Sequence, residues 1–259
     1  CDEKMIDEWN EHERRSGNLT RRQFGALSVG AGFAMLLPRT VGAVDVTDAD
    51  IEISTPDGVA DCYFVHPSSG THPGVLIWPD ALGLRPAFKQ MGKRLAESGY
   101  SVLVVNQYYR ETRSPVVSPG ENFGQEATRN KIMPLMGTLS SQTHVTDAVA
   151  FIGFLDQQRS VDKNRKMGTT GYCMGGPITM RTAAAVPDRI GAAASFHGGG
   201  LVTDEPDSPH LLVPKMKAHY LFAIAENDDE RQPEAKNVLR DSFANAGLPA
   251  EIEVYEGAM

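Results

Sequence analysis

One hexapeptide restricts the architecture of this chain more than any other feature: Gly171-Tyr172-Cys173-Met174-Gly175-Gly176. Residues 166–172 read as a strand and residues 174–186 as a helix, so the hexapeptide is the turn between them. Glycines two positions either side of a central side chain let strand and helix approach closely. Such a turn is sharp and strained, and it lifts the central residue out of the top of a sheet. It also aims the next backbone N–H, that of Met174, at any charge developing beside the central residue. Here that residue is a thiol, so the turn presents Cys173 as a nucleophile. Pro177 falls in the first helical turn, where its missing N–H costs little. A helix N-terminus also favours a thiolate, which predicts a lowered Cys173 pKa.

The rest of the chain fits one α/β domain with a mostly parallel sheet. Residues 50–55 and 59–65 alternate apolar and polar around Asp57-Gly58, a hairpin signature that places antiparallel strands at one edge. Gly74–Trp78 and Ser101–Val105 are continuous apolar runs, as in strands buried on both faces. Phe88, Met91, Leu95 and Ala96 repeat at helical spacing and end at Gly99. Val145, Ala148, Phe151, Ile152 and Leu155 form a second helical stripe. Residues 192–196, 220–225 and 251–255 read as further strands, with a helix over 234–246. Strands alternating with helices imply helices on both faces of the sheet. Residues 107–137 are rich in Pro, Gly and polar side chains, and are expected to be a functional loop or cap. Glu226-Asn227-Asp228-Asp229 is expected to be a turn at a strand exit.

Composition excludes some classes. A formal net charge of -8 argues against a nucleic-acid partner, which requires a basic face. The three cysteines, Cys1, Cys62 and Cys173, form no CxxC pair, so neither a disulfide framework nor a dithiol redox centre is expected. Cys62 alternates within a strand pattern and reads as a small buried hydrophobe. The seven histidines show no metal-ligand spacing, and neither a metal nor a cofactor is expected.

Residues 1–43 read as an address and not as part of the fold. Thr20-Arg21-Arg22-Gln23-Phe24 precedes an apolar run over 25–37, and Val41-Gly42-Ala43 offers small residues at a cleavage position. The paired arginines resemble a twin-arginine export motif. The apolar run is short and Gly-rich, so no stable membrane span is expected. The expectation is an exported, periplasmic protein that meets the export machinery through this segment, with a mature domain over 44–259.

The elbow, together with Trp78-Pro79-Asp80-Ala81-Leu82-Gly83-Leu84, Tyr109-Arg110, Ala225-Glu226-Asn227-Asp228 and Tyr255-Glu256-Gly257-Ala258-Met259, resembles the dienelactone hydrolase family over residues 50–259. The resemblance implies the α/β-hydrolase fold and hydrolysis of a small ester or lactone, the reference substrate being a lactone that carries a carboxylate. It implies Cys173 as nucleophile and Asp228 as triad acid, with Asp229 as the neighbouring candidate. Ala81 matches the second oxyanion donor beside Met174. Asp80 stands where the family carries a glutamate that contacts the cysteine. Arg110 matches an arginine that grips the substrate carboxylate. The triad order is nucleophile, acid, histidine, and no histidine follows Asp228 in the sequence. The base is therefore expected one residue beyond Met259, with both ends of the chain reading as cut (or the start at Met5). On that reading the chain as given is nearly inactive. His197 precedes the acid and is expected to face the substrate or serve the structure; His219 is a weaker candidate. The rival reading is a non-catalytic binding module that retains the fold.

Overall fold

The computed structural model describes residues 43–258. The segment read as an export signal lies outside them, up to its last residue. The strands are β1 (Val46–Thr55), β2 (Gly58–Pro67), β3 (Gly74–Trp78), β4 (Ser101–Val105), β5 (Met167–Tyr172), β6 (Ile190–Phe196), β7 (His219–Ala225) and β8 (Ala250–Tyr255). The helices are α1 (Pro86–Glu97), α2 (Glu126–Met136), α3 (Ser141–Gln157), α4 (Gly175–Ala185), α5 (Glu226–Arg231) and α6 (Ala235–Asn245). The strands form one sheet in the order β1-β2-β4-β3-β5-β6-β7-β8. β1 and β2 run antiparallel at one edge, and β3 to β8 are parallel. This is the α/β-hydrolase arrangement expected from the sequence.

The apolar runs explain the layering. Along β3, Val75 and Ile77 pack with Phe88 of α1 and with Val102 and Val104 of β4. Leu76 and Trp78 point the other way, against Phe151, Ile152 and Leu155 of α3. A strand covered on both faces cannot alternate apolar with polar, so β3 is buried throughout. Fully burying such a side chain contributes roughly 1.5–3 kcal/mol. At the antiparallel edge, Thr55 closes the hairpin locally: its Oγ1 accepts from the Asp57 N–H at 3.1 Å and its hydroxyl donates to the Gly58 carbonyl at 3.0 Å.

Two expectations change. The 107–137 stretch is not one open loop but carries α2, whose Thr128 and Ile132 are buried. Pro134 within the last turn disguises it, since a proline lacks the N–H that would bond back to Asn130 and so argues against a helix. The 226–229 segment is the start of the short helix α5 and not an open turn. Among the described residues, no helix is long and apolar enough to cross a membrane.

His144 near the start of α3 is 9% exposed, and neither ring nitrogen has a hydrogen-bond partner among the described residues. Burial, aided by the charges of Arg181 and Arg110 and opposed by Asp207, pulls its pKa down to about 3. The folded state therefore holds His144 neutral where an unfolded chain would protonate it. Its contribution is complete above the unfolded pKa near 6.5 and is lost as pH falls toward about 3. The full loss is on the order of 3–5 kcal/mol. Urea unfolding at a series of pH values should show wild type losing more stability below pH ~6.5 than His144→Phe. Parallel curves for the two proteins would refute this.

Candidate active site

The elbow forms at the C-terminal edge of the sheet, between β5 and α4. Cys173 has φ 54, a left-handed conformation that a residue with a Cβ adopts only under constraint. The constraint is visible. The Cys173 N–H donates to the Phe196 carbonyl of β6 at 3.0 Å, and its carbonyl accepts from Gly176 N–H at 3.0 Å. The flanking glycines are required by contact. A Cβ on Gly171 would lie 2.1 Å from the Gly175 carbonyl oxygen, and one on Gly176 would lie 2.4 Å from Ser195 Oγ.

The backbone N–H groups of Met174 and Ala81 both favour the thiolate form of Cys173. They arrive from different elements, Met174 from the start of α4 and Ala81 from the exit of β3. Tyr108 links the two. Its hydroxyl donates to the Ala81 carbonyl at 2.8 Å and lies 3.7 Å from Met174 Sδ. Sequence reasoning missed Tyr108, and no local motif marks it.

The thiol pKa moves opposite to the expectation from the helix N-terminus. Burial pushes the Cys173 thiol up, and the charges of Asp80 and Asp228 push the same way. The two N–H groups oppose this without overcoming it. A thiol so placed requires a nearby base or cation to ionise near neutral pH.

Asp228 stands in α5, just beyond β7, with its side chain 19% exposed. Arg231 approaches it at 3.5 Å from a largely solvent-exposed position. Asp229 is committed elsewhere: both carboxylate oxygens accept from Lys236, at 2.7 and 2.6 Å. Of the two neighbouring acids, Asp228 is the one acting on the thiol.

His197 follows β6, the strand between those leading to Cys173 and Asp228, and has φ 43. Its N–H donates to the Ala223 carbonyl at 2.8 Å. His219 begins β7 and lies at the opposite end of the strand from Asp228, about 20 Å of extended chain away. β8 runs parallel to β7 with Tyr255 opposite Ala225. The chain then turns back on α5, where Glu226 N–H donates to the Ala258 carbonyl at 3.0 Å. The chain thus reaches the start of the acid's own helix at Ala258.

Two side chains that the resemblance assigns to the site are bonded to other groups of the chain. Both carboxylate oxygens of Asp80 accept from Arg85, at 2.6 and 2.8 Å, and one also accepts from Leu82 N–H. Asp80 is therefore a clamp on its own loop, acting on the sulfur through its charge. Arg110 spends four of its five N–H donors on two carboxylates, Asp57 and Asp147, at 2.6–3.0 Å. It also stacks on Tyr109, whose hydroxyl donates to Asp147 at 2.8 Å. Burial pulls against the Arg110 charge, but Asp147 and Asp57 outweigh it and its pKa rises. Asp147 is 1% exposed. Withdrawing Arg110 would strand that carboxylate, and breaking a buried pair in this way costs about 3–5 kcal/mol. Arg110 is a structural tie between the β1–β2 hairpin and α3. Its partners lie too far away in sequence for any motif to reveal them.

Among the described residues, no group of three or more His, Cys, Asp or Glu is placed to hold a metal ion.

The carboxymethylenebutenolidase of Rhodococcus opacus is 24% identical over 198 residues, covering 75% of this chain and 73% of that protein. The carboxymethylenebutenolidase of Pseudomonas putida is 22% identical over 192 residues, with 74% and 75% covered. The crystal structure of dienelactone hydrolase from Anabaena variabilis superposes with a TM-score of 0.59 at 15% identity, over 82% of this chain and 90% of that one. The family model of the dienelactone hydrolases matches residues 60–259, a span that holds both oxyanion candidates, the cysteine and the acid, and the chain belongs to that family.

Proposed function

We propose that this protein hydrolyses a small carboxylic ester or lactone through a covalent intermediate on Cys173. The observation that carries the reading is the strained elbow at Cys173, whose thiolate the N–H groups of Met174 and Ala81 favour. The thiolate attacks the carbonyl carbon, forming a C–S bond, and the carbonyl oxygen becomes an oxyanion. Met174 and Ala81 hold that oxyanion; removing one such donor typically costs about 3 kcal/mol of barrier. Collapse expels the alcohol, which takes a proton, and leaves a thioester. Water then attacks the thioester, releasing the acid and restoring the thiol.

Asp228 orients the base in this scheme. The base in this scheme is an imidazole held against that carboxylate, which would supply what the raised thiol pKa requires.

The test is to trap the intermediate. The full-length protein is mixed with an activated ester, quenched in acid within milliseconds and mapped by mass spectrometry. The acyl mass should sit on the peptide containing Cys173. Turnover with that cysteine unmodified, or with the acyl group elsewhere, would sink the reading. Absence of both acylation and turnover would favour the binding module.

A further inference from the structure

We propose that Gln107 and Tyr108 are positioning residues for the oxyanion donor at Ala81: together they fix the direction in which the Ala81 N–H points. The inference rests on the hydrolase reading above and deepens it.

The two residues stand side by side at the exit of β4, and both are buried. They reach the two peptide groups that flank Ala81. Gln107 Nε2 donates to the Asp80 carbonyl at 2.8 Å, and the Tyr108 hydroxyl donates to the Ala81 carbonyl at 2.8 Å. A peptide group is planar, and in its trans form the C=O and N–H point opposite ways. Holding the Asp80 carbonyl oxygen therefore aims the Ala81 N–H. The Gly83 N–H donates to the same oxygen at 3.0 Å, and the Leu82 N–H donates to Asp80 Oδ1 at 2.9 Å. Three of the four polar groups in these two peptides are thus bonded to other atoms of the chain. The fourth is the Ala81 N–H, which favours the thiolate of Cys173.

Gln107 holds this place at a cost. Its Oε1 is buried and has no hydrogen-bond partner among the described residues, which destabilises the fold. An apolar side chain of similar size would avoid that cost. What the glutamine adds is the donor on the Asp80 carbonyl. The amide cannot be turned round, because its oxygen would then face a carbonyl oxygen. A donor on a peptide oxygen also polarises the peptide and strengthens its N–H. Burial pushes the Tyr108 pKa up, and the charge of Asp80 adds to it, so the hydroxyl stays protonated and remains a donor. Asn106 braces the pair. Its Oδ1 accepts from the Tyr108 N–H at 3.0 Å, while its Nδ2 donates to Asp61 Oδ1 at 2.8 Å and to the Thr112 carbonyl at 2.9 Å.

The test uses Gln107→Leu and Tyr108→Phe in the full-length protein, with 4-nitrophenyl butyrate as substrate. The kcat should fall about 10–100-fold in the first and about tenfold in the second, with KM within about threefold of wild type. A trifluoromethyl alkyl ketone separates positioning from general damage. The thiolate adds to its carbonyl carbon, a C–S bond forms, and the ketone oxygen becomes an oxyanion like that of the transition state. Ketone affinity should weaken in each variant by about the factor lost from kcat/KM. Thr169→Val is the control. Thr169 is also buried and also donates to a backbone carbonyl, that of Leu76 at 3.2 Å, deeper in the sheet. It should keep kcat and ketone affinity within about twofold of wild type. Folded variants at 107 and 108 that keep both quantities within about twofold would overturn the proposal, as would a loss confined to KM or an equal loss in Thr169→Val. Should Gln107→Leu fail to fold, Tyr108→Phe decides. If the wild-type protein is not acylated at Cys173, the hydrolase reading falls, and this proposal with it; acylation in wild type with unaffected variants defeats this proposal alone.

Discussion

Alanine at position 173 in the full-length protein should abolish ester turnover, lowering kcat by on the order of 10⁴–10⁶. The elbow carries one nucleophilic side chain, whose thiolate the Met174 and Ala81 N–H groups favour. Removing the sulfur leaves those N–H groups in place, and with them a residual acceleration of roughly 10³ over water from the oxyanion donors and binding. The fold should be unaffected. Alanine has the same Cβ as cysteine, so the strain at φ 54 is unchanged, and the elbow's hydrogen bonds to Phe196 and Gly176 are made by backbone atoms. An unfolding midpoint near that of wild type, combined with the loss of turnover, is the expected pair of results. A variant keeping more than about 1% of wild-type turnover would remove Cys173 from the mechanism.

What the sequence made legible, and what it hid, divides by the range of the interactions. The elbow is a local backbone problem. Gly171 is demanded by contact with Gly175 and Thr179 within one strand–turn–helix unit, so the hexapeptide shows the turn plainly, whereas Gly175 and Gly176 answer to Trp78, Pro79 and Ser195 of other elements. The central strands were legible because burial on two faces forces an unbroken apolar run, as in β3 and β4. The carboxylate partners of Arg110 were hidden for the opposite reason. Asp57 and Asp147 lie 53 and 37 residues away from it, brought together by a hairpin and a helix from opposite sides. Tyr108 joins two loops 27 and 66 residues distant, and nothing in its neighbourhood distinguishes it from Tyr109. The Asp80–Arg85 clamp is an intermediate case. The pair stands five positions apart in one loop, close enough for the charge pairing to be legible. The thiol pKa was read with the wrong sign because a sequence shows the helix N-terminus but not the burial or the two carboxylates around it.

The proposed oxyanion site depends on how closely two separate elements approach, and Gly175 limits that approach. A Cβ built on Gly175 would lie 2.3 Å from the Trp78 carbonyl oxygen, 2.9 Å from that of Pro79 and 3.0 Å from the Trp78 carbonyl carbon. All three are backbone atoms, so no rotamer change relieves the collision. Gly175 adjoins Met174, and Trp78-Pro79 leads directly to Ala81. Any relaxation must therefore move the start of α4 away from the exit of β3, which separates the Met174 and Ala81 N–H groups. Gly175→Ala should cost kcat about 10²–10³, the usual effect of losing one oxyanion donor. KM should change little, because those donors act on charge that exists only in the transition state. Stability should also fall, by roughly 1–3 kcal/mol for the steric strain. Gly199 supplies the control. It lies in the loop after His197, and a Cβ there meets nothing within 4 Å. Gly199→Ala should keep kcat within about twofold of wild type. If Gly175→Ala folds with kcat within about fivefold of wild type, the approach of α4 to β3 is not what forms the oxyanion site.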